Sequence, residues 1–244
     1  MCESCPTPTI SRDHHDAGRR SFMKWAAAGL ALSSLPALGN EKFVPKPENV
    51  ISPDAALARL MAGNERYVRQ QSINASFSAT RAALARGQNP YACVLSCADS
   101  RIGPELCFDS ERGDLFVTRV AGNYVTPQIL ASLEYGTAVL NAPLIMVLGH
   151  TNCGAIKATI DAVTKNAAFP GHIQTITTDL SPAIRSALKK NPAQAEQACV
   201  LENVRLNVEN LKNANPLLSA RVASGQLKVV GAVYDLSTGR VTLT

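Results

Sequence analysis

The chain is poor in what nucleic-acid and membrane proteins depend on. Aromatics make up 5% of its 244 residues, tryptophan occurs once, and the formal net charge of +5 is spread along the chain. No run of Lys and Arg is interleaved with aromatic side chains, so the electrostatic and stacking footprint of a polynucleotide partner is missing. Long apolar runs are scarce at the N-terminus too: the stretch from Trp25 to Leu38 covers about fourteen residues, short of the ~20 that a spanning helix needs. Arg19 and Arg20 precede it, followed by Ser21, Phe22, Met23 and Lys24. That order is the pattern of a twin-arginine export signal. The small residues Ala37 and Gly39 place cleavage after Gly39, with an uncleaved anchor as the alternative. Residues 1–39 then form a signal read by the twin-arginine machinery. Residues 40–244 form one domain that acquires its metal before export, works in the periplasm or its equivalent, and has no stable membrane span.

Cysteine and histidine are equally sparing. Of seven cysteines, Cys2 and Cys5 leave with the signal, and Cys93, Cys97, Cys107, Cys153 and Cys199 remain. An odd count in an oxidising compartment argues against a disulfide framework, and the lack of Cys-x-x-Cys after residue 39 argues against a thiol redox protein. Cys93, Cys107 and Cys199 read as small buried hydrophobes. Beyond the signal only His150 and His172 occur, the latter in a Pro- and Gly-flanked stretch that reads as a loop.

Ser52 followed by Pro53 opens a helix through about Gln70, with Leu57, Leu60, Met61 and Tyr67 on one face, and a second short helix runs from Ser78 to Arg86. Short apolar, β-branched runs follow at Ala92 to Ser96, Leu115 to Val120, Leu144 to Leu148 and Leu227 to Tyr234. Helical patterns separate them around Pro127 to Leu140, Ala155 to Lys165, Ser181 to Lys190 and Ala193 to Asn213. Strands alternating with helices predict an α/β fold: a central, mostly parallel sheet with flanking helices and an N-terminal helical arm. A turn at Ser237 to Gly239 predicts a C-terminal β-hairpin ending in Val241 to Leu243.

Position then gives the chemistry. Cys97 follows directly on the first core strand, and His150 and Cys153 follow the third, at the carboxyl edge where open parallel sheets bind ligands. Two thiolates and an imidazole suit Zn²⁺, and Asp99 is the one nearby candidate for a fourth ligand. Arg101 offers the alternative. A guanidinium two residues away can take Asp99 in a fork of hydrogen bonds and leave the fourth position to water.

The segments Cys97-Ala98-Asp99-Ser100-Arg101, Val120-Ala121-Gly122-Asn123, Ser132-Leu133-Glu134-Tyr135 and Gly149-His150-Thr151-Asn152-Cys153-Gly154 resemble, in this order, the signatures of the β-class carbonic anhydrases. The likeness runs from about Ile51 to the C-terminus. It implies zinc on Cys97, His150 and Cys153, and a catalytic dyad of Asp99 and Arg101 that frees and orients the nucleophile for reversible hydration of carbon dioxide to bicarbonate and a proton. Gln88, Phe116 and Tyr135 match residues of the family's substrate pocket, where Val125 is a further apolar wall. The Gly154 amide matches a donor to bicarbonate. The resemblance also implies a site at a subunit interface, hence a homodimer or homotetramer in which the helices over Pro53 to Arg86 embrace the partner. Where bicarbonate-regulated members carry tryptophan this chain has Val94, although Arg119 matches an arginine of that regulatory site, so an open zinc position is expected rather than one closed by Asp99. Hydrolysis of carbonyl sulfide or carbon disulfide on the same scaffold, and a non-catalytic zinc-binding module, are the competing readings.

Overall fold

The computed structural model describes residues 51–73, 77–190 and 192–244. The expected export signal and residues 40–50 of the expected domain lie outside them. Ser52 caps the first helix, α1 (Pro53–Val68), by accepting a hydrogen bond from the Ala55 amide at 3.2 Å, and Pro53 takes the first turn, where no N–H is required. Leu60 is buried on the apolar face, while Leu57, Met61 and Tyr67 pack half-covered against the same core. A short α2 (Phe77–Leu84) completes the N-terminal pair.

Five strands make the sheet: β1 (Ala92–Ser96), β2 (Leu115–Arg119), β3 (Leu144–His150), β4 (Lys228–Tyr234) and β5 (Val241–Leu243). Their order is β2-β1-β3-β4-β5. The first four are parallel, and β5 returns antiparallel to β4 as the expected hairpin. Every residue of β1 and β3 is buried, as a parallel sheet covered on both faces demands. Alternation divides the strand residues between two apolar layers. Val94, Leu144, Met146 and Leu148 meet Leu60 and Phe108 on one face, whereas Leu95, Ile145 and Val147 meet Leu133, Val204 and Leu211 on the other.

The covering helices are α3 (Pro104–Cys107), α4 (Pro127–Glu134), α5 (Gly154–Lys165), α6 (Ile173–Leu188), α7 (Ala195–Lys212) and α8 (Leu217–Ala223). Helix α7 lies against β3 and β4 closely enough that a Cβ on Gly149 would stand 2.8 Å from Val204 Cγ2. Glycine therefore occupies the position just before His150. Cys93, Cys107 and Cys199 are buried free thiols, and burial pushes the first two up to about 12, as suits small apolar fillers. No helix among the described residues is long and apolar enough to cross a membrane.

Four features differ from the sequence pattern. Helix α6 begins at Ile173 rather than Ser181 and carries Pro182 inside it. Proline removes one backbone bond there, but Thr177, Leu180, Ala183, Ile184 and Ala187 form one buried face that holds the helix across it. The run from Pro127 continues past Glu134 as a π-helical turn, Tyr135–Val139. His150 is the last residue of β3, paired with Tyr234, rather than a loop residue beyond it. Helices α3 and α8 are short, and their sequences carry too few apolar repeats to announce them.

Glu202 ties α6 to α7. Its carboxylate accepts from Ser186 Oγ at 2.7 Å and from Arg205 Nε and Nη2 at 2.9 and 2.8 Å. The Arg205 fork foremost, with Ser186, lowers its pKa to about 2. A depressed carboxylate stabilises the fold above its unfolded pKa, and that stability disappears as pH falls through the folded value. Glu202→Gln is therefore expected to cost about 1–2 kcal/mol near pH 7. In thermal unfolding followed from pH 6 down to pH 3, the gap to the wild type should narrow steadily below the ordinary glutamate range.

Candidate metal centre

The chain passes from β1 outward to β2, then crosses back to lay β3 on the other side of β1. Connections leave in opposite directions at the carboxyl ends of β1 and β3, which opens the crevice where doubly wound sheets bind ligands. Cys97 stands one residue past β1, His150 ends β3, and Cys153 is the N-cap residue of α5. Their donor atoms lie within 4.8 Å of one another. All three side chains are buried.

The donor geometry suits a zinc ion. The two sulfurs are 4.0 Å apart, far beyond the ~2.05 Å of a disulfide and close to the ~3.8 Å that separates two sulfurs each about 2.3 Å from a tetrahedral ion. His150 Nδ1 lies 2.9 Å from the Thr151 carbonyl and donates to it, which leaves the lone pair on Nε2. That Nε2 is buried and has no hydrogen-bond partner. An unsatisfied buried acceptor costs about 1–3 kcal/mol, and a cation facing it removes the cost.

Charge in the cluster is already polarised. The hydrogen bond from Cys153, above all, lowers the Cys97 thiol to about 4 against the opposing effect of burial, with His150 and the Gly122 amide contributing. Cys153 is correspondingly raised, since Cys97 draws on its proton and burial adds to the effect. For His150 burial disfavours the charged ring, yet the Cys97 sulfur and the Asp99 carboxylate leave its pKa raised.

Asp99 borders the cluster, with Oδ2 at 3.9 Å from His150 Nε2, but it is not among the converging donors. Arg101 holds it: Nε donates to Oδ1 at 2.9 Å, Nη2 to Oδ2 at 2.7 Å, and the Arg101 amide to Oδ1 at 2.9 Å. This fork keeps the Asp99 carboxyl well below the usual carboxylate range. The same Nη2 reaches the Asn152 carbonyl at 3.1 Å, tying the first motif to the second. Of the two arrangements open to Asp99, the structure has the one paired with Arg101.

The remaining sequence candidates divide. Gly154 is exposed at the first position of α5, where backbone amides point outward and a Cβ would meet nothing within 4 Å. Phe116 pairs in register with Cys93, four residues or about 13 Å back along the sheet from Cys97. Tyr135 packs on it with ring centroids 6.1 Å apart and is 48% exposed. Gln88 is exposed ahead of β1, at the same distal end. Within one chain these three are not brought to the cluster. Val125 is half-buried in the layer beneath Leu95, and His172 is exposed before α6.

Arg119 is fully engaged as a brace. Its Nε donates to the Cys97 carbonyl at 2.9 Å, and its Nη2 to those of Asp99 and Ile102 at 2.7 and 3.0 Å. Sequence reasoning missed this brace, the Gly122 amide on Cys97 Sγ at 3.2 Å, and the Asn152 carbonyl. A signal exists for the loops, since Asn123 and Asn152 adopt φ of 42° and 57°, a region that asparagine tolerates better than most residues.

Known proteins resemble this chain. The family model described as carbonic anhydrase matches residues 92–241. Carbonic anhydrase 2 of Mycobacterium tuberculosis is 37% identical over 196 residues, 79% of this chain and 93% of its own length. The carbonic anhydrase of Mycolicibacterium smegmatis is 36% identical over 193 residues. Among solved structures, the β-carbonic anhydrase CcaA aligns with a TM-score of 0.63 at 28% identity, covering 77% of this chain and 94% of that one. The chain belongs to the β-class carbonic anhydrases. A Coccomyxa β-carbonic anhydrase, solved in complex with acetazolamide, aligns with a TM-score of 0.60 at 31% identity. The fork keeps the Asp99 carboxylate beside the cluster and outside the converging donors.

Replacing one sulfur tests the cluster directly. Cys153→Ser should retain far less zinc after dialysis than the stoichiometric wild type. Chelation should lower the melting temperature of the wild type by several degrees and leave that of the variant unchanged, read by metal analysis and thermal unfolding.

Proposed function

We propose that this carbonic anhydrase hydrates carbon dioxide reversibly to bicarbonate and a proton, using a zinc ion held by Cys97, His150 and Cys153. The observation that carries the metal reading is the buried, unpartnered Nε2 of His150 facing two sulfurs. Bound there, zinc supplies the Lewis acid that makes water acidic enough to attack near neutral pH. Asp99, held ionised by Arg101, accepts a hydrogen bond from the reacting water and aligns its lone pair toward the substrate. Arg101 in turn keeps Asp99 from closing the fourth position. The Gly154 amide, at the positive end of α5, receives an oxygen of the bicarbonate product.

Carbon dioxide is uncharged, so its pocket requires apolar walls. Phe116, half-buried, and Tyr135 and Gln88, both exposed, sit at the far end of their own sheet. In our reading they line the site of a second subunit, and the working enzyme is a homodimer or homotetramer. Arg19 and Arg20 with the apolar run behind them support export by the twin-arginine route to the periplasm.

Two sulfur ligands offset the charge of the ion, which leaves the reacting water less acidic than a site of neutral ligands does. Hydration should therefore rise from pH 6.5 toward pH 9. Arg101→Ala should keep its zinc and lose about 100-fold in turnover, read by stopped-flow hydration with zinc measured on the same sample. A zinc-binding module predicts no hydration activity in the metal-loaded wild type and no loss of function in Asp99→Asn; either result, or full hydration activity in Arg101→Ala, would overturn the catalytic reading.

The oligomer has its own test. Phe116→Arg should sediment as a lighter species than the wild type, retain zinc, and lose activity even though Phe116 lies about 13 Å along the sheet from its own Cys97.

A further inference from the structure

Two buried asparagines of α7 reach from their helix to a neighbouring loop and are bonded to each other. Asn203 and Asn207 are 2% and 5% exposed and stand one turn apart. Asn203 Nδ2 donates to the Gly122 carbonyl at 2.8 Å. Asn207 Oδ1 accepts from the Val125 amide at 2.8 Å, and its Nδ2 donates to the Asn203 backbone carbonyl and to Oδ1 at 2.8 and 3.0 Å. Around them lie Val200, Val204, Val208 and Leu180, an apolar layer in which an amide is costly unless its bonds are made. Two of these bonds, to the Gly122 carbonyl and from the Val125 amide, join α7 to the loop between β2 and α4.

Gly122 has a φ of +90°, a conformation that side-chain-bearing residues rarely adopt, and a Cβ there would stand 2.7 Å from Leu180 Cδ1. A backbone so free needs fixing from outside, and it is held on both sides: the carbonyl by Asn203, and the amide by Cys97 Sγ at 3.2 Å. An N–H directed at a thiolate withdraws charge from the sulfur and fixes its direction.

We infer that Asn203 is a positioning residue of the metal centre, acting through Gly122 to keep an amide on the Cys97 sulfur and so to set how strongly that sulfur donates to the ion. This rests on the proposed zinc site. A tempered thiolate leaves more positive charge on the ion, which partly offsets the loss of acidity that two sulfur ligands cause. The device explains why a polar pair persists in a layer that valine and leucine otherwise fill.

The test uses the cobalt- and zinc-loaded full chain. Asn203→Leu, with Asn203→Ser should the first not fold, is compared with the wild type and with Asn64→Leu. Asn64 is an equally buried asparagine that bonds the Cys107 and Gly239 carbonyls and the Val241 amide, away from the cluster. In the Asn203 variant the untempered sulfur should shift the sulfur-to-cobalt charge-transfer band to longer wavelength. Zinc should bind about tenfold more weakly in competition with a chromophoric chelator, because the sulfur is no longer held in direction, a loss that outweighs its stronger donation. Asn64→Leu should lose comparable melting temperature and show neither change. A folded Asn203 variant with the wild-type band and affinity overturns the inference, as does an equal shift in Asn64→Leu. If the wild type itself takes up neither metal, the zinc reading fails, and this inference with it.

Discussion

The parallel pairing of β1 with β3 is the constraint on which the site depends. Its register sets Ser96 beside Leu148, so Cys97 and His150 emerge at one edge although more than fifty residues separate them in sequence. Both strands are buried throughout, and slipping the register by one residue would turn every side chain to the opposite layer. The core therefore fixes the distance between sulfur and imidazole. The cluster inherits its rigidity from the apolar layers, and the loops only finish what the strands place.

Electrostatics complete it. Two thiols, an imidazole and a carboxylate crowd the carboxyl edge, and three of the four have a counterpart that sets their state. Asp99 is bound to Arg101, His150 Nδ1 to the Thr151 carbonyl, and Cys97 Sγ to the Gly122 amide. Arg119 stitches together the three carbonyls of the loop that carries Cys97 and Asp99. Arg119 thereby stiffens that loop, while Asp99 can turn its carboxylate toward the cluster only by leaving the Arg101 fork.

Much of this was legible in the residues. The strands at Ala92, Leu115, Leu144 and Leu227 announced themselves by short β-branched runs, and chemistry-bearing residues immediately past two of them pointed to the carboxyl edge. What stayed hidden was long-range or lacked periodicity. The strand order depends on crossovers that no local pattern encodes, and α3 is a single turn. The start of α6 was obscured because Pro182 reads as a break, whereas the buried face from Thr177 to Ala187 carries the helix through it. At the site, the side chains that could be named were those with reactive atoms. The supports from Gly122, Asn152 and Asn203 are backbone groups or amides, and such groups show their purpose only when their partners are in place.

One property of the centre is visible only from what a single chain fails to assemble. The metal donors and the dyad are complete within one subunit, but the residues matching the substrate pocket lie at the opposite end of β2, where Tyr135 and Val139 are left 48% and 58% exposed. The π-helical turn over Tyr135–Val139 departs from α geometry at that surface, and such turns recur at functional sites. On the proposed reading, a chain with a finished cluster and a pocket completed by its partner makes activity contingent on association, so that metal binding belongs to the fold of one chain and catalysis to the contact between two.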